Sequence, residues 1–206
     1  MIITLHSKGN YIGGKKLVIA VTGTPGSGKS TFAKELAGKL PEPKIIEIND
    51  VVEQHRLFSR VDRLGSKVVK LKELESKLTE MIKEQSKEYN TIIVGHLVPE
   101  LSLGEDVVVV LRVGLRELIK RLKERSYEKE KVRENLVSES VDYCGLKSKD
   151  ICDEVYEIET EAEKGEMIEY LSKRASGKPS RKPKSVEISR LDELMSIVTE
   201  GNEYGL

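Results

Sequence analysis

The 206-residue chain has no tryptophan, only 4% aromatic residues, two cysteines and no net charge. Each shortage removes a class of protein. With so few rings, the core has to be built from Val, Ile and Leu. Lys plus Arg and Asp plus Glu both number 35, so no global field drives the chain towards nucleic acid or an anionic membrane. Only local patches need weighing. Cys144 and Cys152 do not form a C-x-x-C pair and have no neighbouring His, which argues against zinc and for two inert thiols in a reducing compartment. No apolar run approaches the ~18 residues of a membrane span, and no secretory leader is recognisable. The expectation is a soluble, cytoplasmic protein with no membrane partner. The abundance of Lys and Glu is also compatible with a heat-adapted source. The length suits one α/β domain with an insertion or tail.

What is present is concentrated in one stretch. Gly23-Thr24-Pro25-Gly26-Ser27-Gly28-Lys29-Ser30-Thr31 reads G-x-x-x-x-G-K-S, the phosphate-binding loop pattern. Leu17 to Thr22 before it is a buried-strand run, and Thr31 to Leu40 after it carries Phe32, Ala33, Leu36, Ala37 and Leu40 at helical spacing. Strand, glycine loop and helix together make the match a physical site. Glycines let successive N–H groups turn towards an anion, and the helix adds its positive dipole end. Lys29 is expected to reach the β- and γ-phosphates of ATP, and the Ser30 hydroxyl to ligate Mg²⁺.

Further along, 44–48 reads as a second strand, closed by Asn49 and Asp50, which can cap a helix from Val51. Carboxyl ends of parallel strands face the ligand crevice, so both residues are substrate-binding candidates, and Asp50 can serve as cap and ligand at once. Residues 53–67 read as a mobile connection, and 67–87 as a helix with Val68, Leu71, Leu74, Leu78, Met81 and Ile82 on its apolar stripe. Strands follow at 91–94, ended by Gly95-His96, and at 107–111. His96 therefore lies on the functional side, near an attacking water or γ-phosphate. The helix carrying Leu115, Leu118, Ile119 and Leu122 presents Arg121 and Arg125 on one face and runs into a charged stretch, 126–131, suited to a lid. That context favours phosphate contact by these arginines. A helix over 132–143, a fifth strand over 154–158 and a helix over 161–173 complete a parallel α/β sheet.

Residues 173–184 are basic, broken by Gly and Pro and free of acid. They read as a solvated linker, with RNA phosphate contact as the alternative. A final strand or extended piece and a helix follow over 186–198. The first residues, 1–16, read as an extension carrying no chemistry, with His6 at the surface.

In order, Gly23 to Thr31, Asn49-Asp50-Val51-Val52, Gly95-His96-Leu97, Val107 to Arg112 and the run Arg121-Leu122-Lys123-Glu124-Arg125-Ser126-Tyr127 with Lys131-Val132-Arg133-Glu134-Asn135 and Glu139 resemble the adenylate kinase isoenzyme 6, or coilin-interacting nuclear ATPase, family, in particular its archaeal branch. The resemblance covers about 17–173. It implies a P-loop nucleoside-monophosphate-kinase fold with an NMP-binding segment at about 48–69 and a lid at about 124–134, leaving 174–206 as basic linker and C-terminal strand and helix. Gly23, Gly26, Ser27, Gly28, Lys29, Ser30 and Thr31 would hold ATP and Mg²⁺. Arg125 would be the lid arginine, and Lys29, His96 and Arg125 the catalytic set, with Asn49, Asp50 and Arg121 towards the acceptor. Two departures stand out. Eukaryotic members carry Asp-x-His after the third strand, and here Val94 occupies the Asp position. Mg²⁺ is then held by Ser30, phosphates and water, or a carboxylate such as Asp50 approaches from elsewhere. Lys70 also stands where members often place an acid.

The implied activity is γ-phosphoryl transfer from ATP to AMP or a related monophosphate, with ATP hydrolysis, in maturation of the small ribosomal subunit. The alternative is a nucleotide-switched assembly factor acting on a platform ribosomal protein and rRNA, whose main reaction is hydrolysis. A kinase for another small metabolite also fits the sequence.

Overall fold

Four successive β-branched or aliphatic runs fix the centre of the molecule. In the computed structural model, which describes residues 16–63, 65–184 and 188–200, they form β1 (Val18–Thr22), β2 (Pro43–Glu47), β5 (Asn90–Val94) and β6 (Val107–Leu111). With β7 (Val155–Ile158) they make a five-stranded sheet in the order β2-β5-β1-β6-β7, every pair parallel. The expected parallel α/β sheet is what forms. Because β1 pairs with β5 on one side and β6 on the other, the chain changes direction across the sheet at β1. A ligand crevice opens at the carboxyl end of such a strand, and there the glycine loop sits.

Side chains alternate across the sheet. Ile19, Val21 and Val94 pack with Phe32 and Leu36 of α1 (Lys29–Ala37) and Met167 of α7 (Glu161–Ala175). Ala20, Ile46, Ile93 and Val110 face the other way, against Ile48 of α2 (Ile48–Gln54) and Leu74 and Leu78 of α3 (Leu71–Gln85). Each fully buried Leu, Ile or Phe contributes about 1.5–3 kcal/mol, so these two layers hold the sheet rigid under the site. A third cluster lies off the sheet. Leu115, Leu118 and Leu122 of α4 (Leu115–Glu124), Val132 and Leu136 of α5 (Lys129–Ser140) and Ile197 of α8 (Leu191–Thr199) pack together. A short helix, α6 (Tyr143–Ser148), follows α5.

Three sequence expectations need correcting. Residues 53–67 are not a shapeless connection: α2 runs on to Gln54, and β3 (Phe58–Val61) pairs antiparallel with β4 (Lys67–Val69) in a small hairpin. Val68 belongs to that hairpin, so α3 starts at Leu71. Asn49 and Asp50 do not close β2. The helix begins at Ile48, so they occupy its first turn, and the capping position is Glu47, whose side chain makes no capping bond. Ile48 had the hydrophobicity of a strand residue, but Gly95 lets it approach so closely that a Cβ on Gly95 would lie 2.9 Å from the Ile48 side chain. The expected extension at 1–16, except Lys16, and the strand expected to start at Val186 lie outside the described residues, as does Leu64.

Candidate active site

The loop after β1 takes its shape from glycines that have no substitute. Gly23, Gly26 and Gly28 have φ of 132°, 96° and 99°, a region open to glycine and strained for other residues. A Cβ on Gly23 would also stand 2.3 Å from the Leu111 carbonyl oxygen. Gly28 occupies the α1 N-cap in a left-handed conformation without a side-chain cap, so the first N–H groups of the helix are left for an anion. Lys29 bends back over the loop, its Nζ donating to the carbonyls of Gly23 at 2.9 Å and Thr24 at 3.0 Å. Burial lowers its pKa to about 8, with nearby Arg125 adding to the fall and Cys144, Glu139 and Glu47 opposing it.

Two clefts meet above this loop. The smaller, about 210 Å³, is lined by Gly26, Gly28, Lys29, Ser30, Thr31 and Arg125, with Glu47 and Gly95 on its far wall. The larger, about 760 Å³, lies between the hairpin side of the molecule (Val52, Lys67, Val69) and the α5–α6 side (Lys131, Glu134, Asn135, Tyr143). That size is within the ~300–1,000 Å³ of small-molecule sites. Pro25, Asn49, His96 and Tyr127 belong to both walls. His96 is thus at the junction. Its ring presents open surface to the cleft, yet enclosure by the walls, then the charges of Lys29 and Lys131, lower its pKa to about 4. At pH 7 it is a neutral imidazole, a hydrogen-bonding group and not a cation.

Arg125 caps the end of α4 and is exposed; among the described residues its guanidinium makes no hydrogen bond or ion pair. Arg121 is placed differently. Its Nη1 donates to the Gly26 carbonyl at 3.0 Å and its Nε to Glu117 at 2.9 Å, and it lines neither cleft. One turn of helix separates an arginine facing the phosphate cleft from one bracing the loop. Asp50 is exposed and also lines neither cleft, whereas Asn49 lines both. Ser27 is buried with its hydroxyl unpartnered, and Gly23 is covered by Leu111; both shape the loop from beneath. No group of three or more His, Cys, Asp or Glu able to hold a metal exists among the described residues.

The sequence did not reveal the support under the loop. Thr24 Oγ1 donates to Glu139 Oε2 at 2.5 Å, and Glu139 Oε1 accepts from Arg112 Nε at 2.8 Å. Arg112, 1% exposed, also pairs with Glu157 at 2.5 Å and Asp142 at 2.7 Å. Burial, and the neighbouring Glu157 carboxylate, push the Asp142 pKa up against the pull of Arg112. A fully buried ion cluster exists only when its members satisfy one another. Arg112 and Glu139 were visible as charges in apolar surroundings, but nothing in their spacing showed that they meet. Cys144 lines the larger cleft, and burial raises its thiol to about 11, leaving it protonated.

Comparison with known proteins follows the same outline. The AAA domain family model matches residues 19–142. A protein of Methanosarcina acetivorans named "Putative adenylate kinase" is 37% identical over 171 residues, covering 79% of this chain and 90% of its own. The chain belongs to this archaeal family. A Methanocaldococcus jannaschii protein of the same name is 36% identical over 143 residues, covering 69% of this chain and 76% of its own. Among solved structures, shikimate kinase from Bacteroides thetaiotaomicron aligns with a TM-score of 0.52 at 19% identity, over 76% of this chain and 96% of the other. That likeness bears on the fold alone: a P-loop kinase sheet flanked by helices. No helix among the described residues is long and apolar enough to cross a membrane.

Proposed function

We propose that the chain transfers the γ-phosphoryl of ATP to AMP, forming two ADP, and hydrolyses ATP when no acceptor is bound. The observation that carries this reading is the junction: a phosphate-sized cleft on the glycine loop opens through Pro25, Asn49, His96 and Tyr127 into a nucleotide-sized one. Such transfer depends on positioning and on neutralising charge rather than on covalent chemistry. The uncapped N–H groups of α1 and the Gly26 and Gly28 backbone would hold the phosphates of ATP. Lys29, released from the Gly23 and Thr24 carbonyls, and Arg125, whose guanidinium makes no hydrogen bond or ion pair among the described residues, would neutralise the phosphoryl in transfer. Oxygen donors suit Mg²⁺, and the Ser30 hydroxyl lines the phosphate cleft. Mg²⁺ held there would supply further charge neutralisation to the phosphates. Asn49 is placed to touch both substrates, and Lys131 faces the acceptor side. Neutral His96 would orient the attacking oxygen by a hydrogen bond, including when water is the acceptor. Arg121 would act on the shape of the loop.

The decisive measurement is ADP formation from ATP with and without AMP. Strong stimulation by AMP, with two ADP formed for each ATP consumed, is expected. Lys29→Ala should abolish transfer and hydrolysis together, and near-normal turnover in that variant would overturn the reading.

The neutral histidine at the junction favours one second reading, a cytoplasmic, nucleotide-switched factor of the coilin-interacting ATPase type. It would act on a small-subunit ribosomal protein and rRNA, with hydrolysis as its main reaction. Its signature is slow phosphate release indifferent to AMP.

A further inference from the structure

Val94 leaves a gap in the chemistry. It ends β5 on the sheet face that packs against α1, is 1% exposed and offers no oxygen to a cation at Ser30. Its register partner on the neighbouring strand is Glu47. Paired residues on adjacent parallel strands project to the same face, about 4.8 Å apart. Ile45, two residues before Glu47, packs in the α1-side core with Val94, which fixes the same side for Glu47. Glu47 lines the phosphate cleft with Lys29, Ser30 and Thr31.

Glu47 does not cap α2 and makes no hydrogen bond or ion pair among the described residues. It is close enough to Lys29 to favour the charged ammonium, yet Lys29 bonds loop carbonyls. An unpaired carboxylate in a cleft built for a polyphosphate would repel its ligand unless a cation stood between them. Mg²⁺ at nucleotide phosphates is held by one or two protein oxygens and its remaining waters. We propose that Glu47 is the carboxylate that completes a divalent-cation site at Ser30, one strand away from the position Val94 leaves without an acid. The extra methylene of Glu over Asp extends its reach across that displacement. Asp50, the other candidate, is exposed and outside the cleft.

The assignment rests on ATP occupying the loop, so the experiment separates the two. Binding of a non-hydrolysable fluorescent ATP analogue is titrated at increasing Mg²⁺, and Mn²⁺ binding to the nucleotide complex is followed by electron paramagnetic resonance. For Glu47→Gln, binding without metal should be no weaker than wild type, while the Mg²⁺ concentration for half-maximal enhancement rises at least about tenfold and the bound Mn²⁺ signal falls. Glu47→Asp should lie between. An unchanged Mg²⁺ and Mn²⁺ dependence in Glu47→Gln overturns the assignment and leaves the kinase reading standing. Loss of metal-free binding in that variant also overturns it, because Glu47 would then serve the nucleotide itself. Failure of the wild type to bind the analogue at all overturns both.

Discussion

Lys29 is held by two carbonyls in the wall of the phosphate cleft, and its charge state is therefore tied to its ligand. Burial brings its pKa from the ordinary 10.5 to about 8. Between those values the unfolded chain carries the proton and the folded, ligand-free chain does not, so this group makes ligand-free stability rise with pH from about 8 to 10.5. ATP reverses the balance, because its phosphates favour the ammonium. ATP affinity should accordingly be flat below pH 7 and fall as pH rises past about 8, with proton uptake on binding in that window. Lys29→Arg, charged at every accessible pH, should remove the fall. Calorimetric titration in buffers of different ionisation enthalpy reads both effects. His96 adds nothing in that window, since its pKa is near 4.

At the scale of elements, motion is expected where burial is least. In β3, Ser59, Arg60 and Val61 are exposed, Val61 to 53%, and the turn before α5 carries Arg125 and Ser126 in the open. These flank the larger cleft on opposite sides, and elements with few buried apolar contacts open most readily. Hydrogen exchange should show the amides of 56–69 and 125–135 protected when ATP analogue and AMP are bound together, while β1, β5 and β6 stay unchanged. Equal exchange with and without ligands would show that the clefts do not close. The same contrast explains what could be read in advance. β1, β5 and β6 are largely aliphatic and buried along their whole length, and such runs admit few alternatives. The hairpin strands Phe58–Val61 and Lys67–Val69 are short and largely exposed, so their pairing came from each other and from α2, not from a pattern in either. Ser30 and Thr31, expected at the phosphates from the loop motif, and Arg125, expected there from the resemblance, all line the smaller cleft. Glu47 was not legible, because its role depends on which strand lies beside Val94, and strand order is absent from spacing.

For the molecule as a whole, α8 is more than a tail on a basic linker. Ile197 and Leu194 pack on α4 and α5, Arg116 Nη2 reaches Glu200 at 2.7 Å, and Arg190 pairs with Glu159. Leu191, Met195 and Val198, on the opposite side, are 52%, 61% and 65% exposed. A chain ending at 184 should lose about 3 kcal/mol, the burial of two aliphatic side chains. A lowered urea midpoint and slower transfer would register the loss, and an unchanged midpoint would show that α8 carries no load. The other long-range tie is the buried chain of contacts Thr24–Glu139–Arg112–Glu157, which joins the loop after β1 to α5, β6 and β7. It anchors the C-terminal end of α5. Lys131 lies eight residues earlier, about 12 Å along the helix axis, and beside it Val132 is buried against α4 and α8, so α5 is held at both ends. Closing over the acceptor would then carry α4, α5 and α8 together as one bar, tied to the phosphate loop through Thr24.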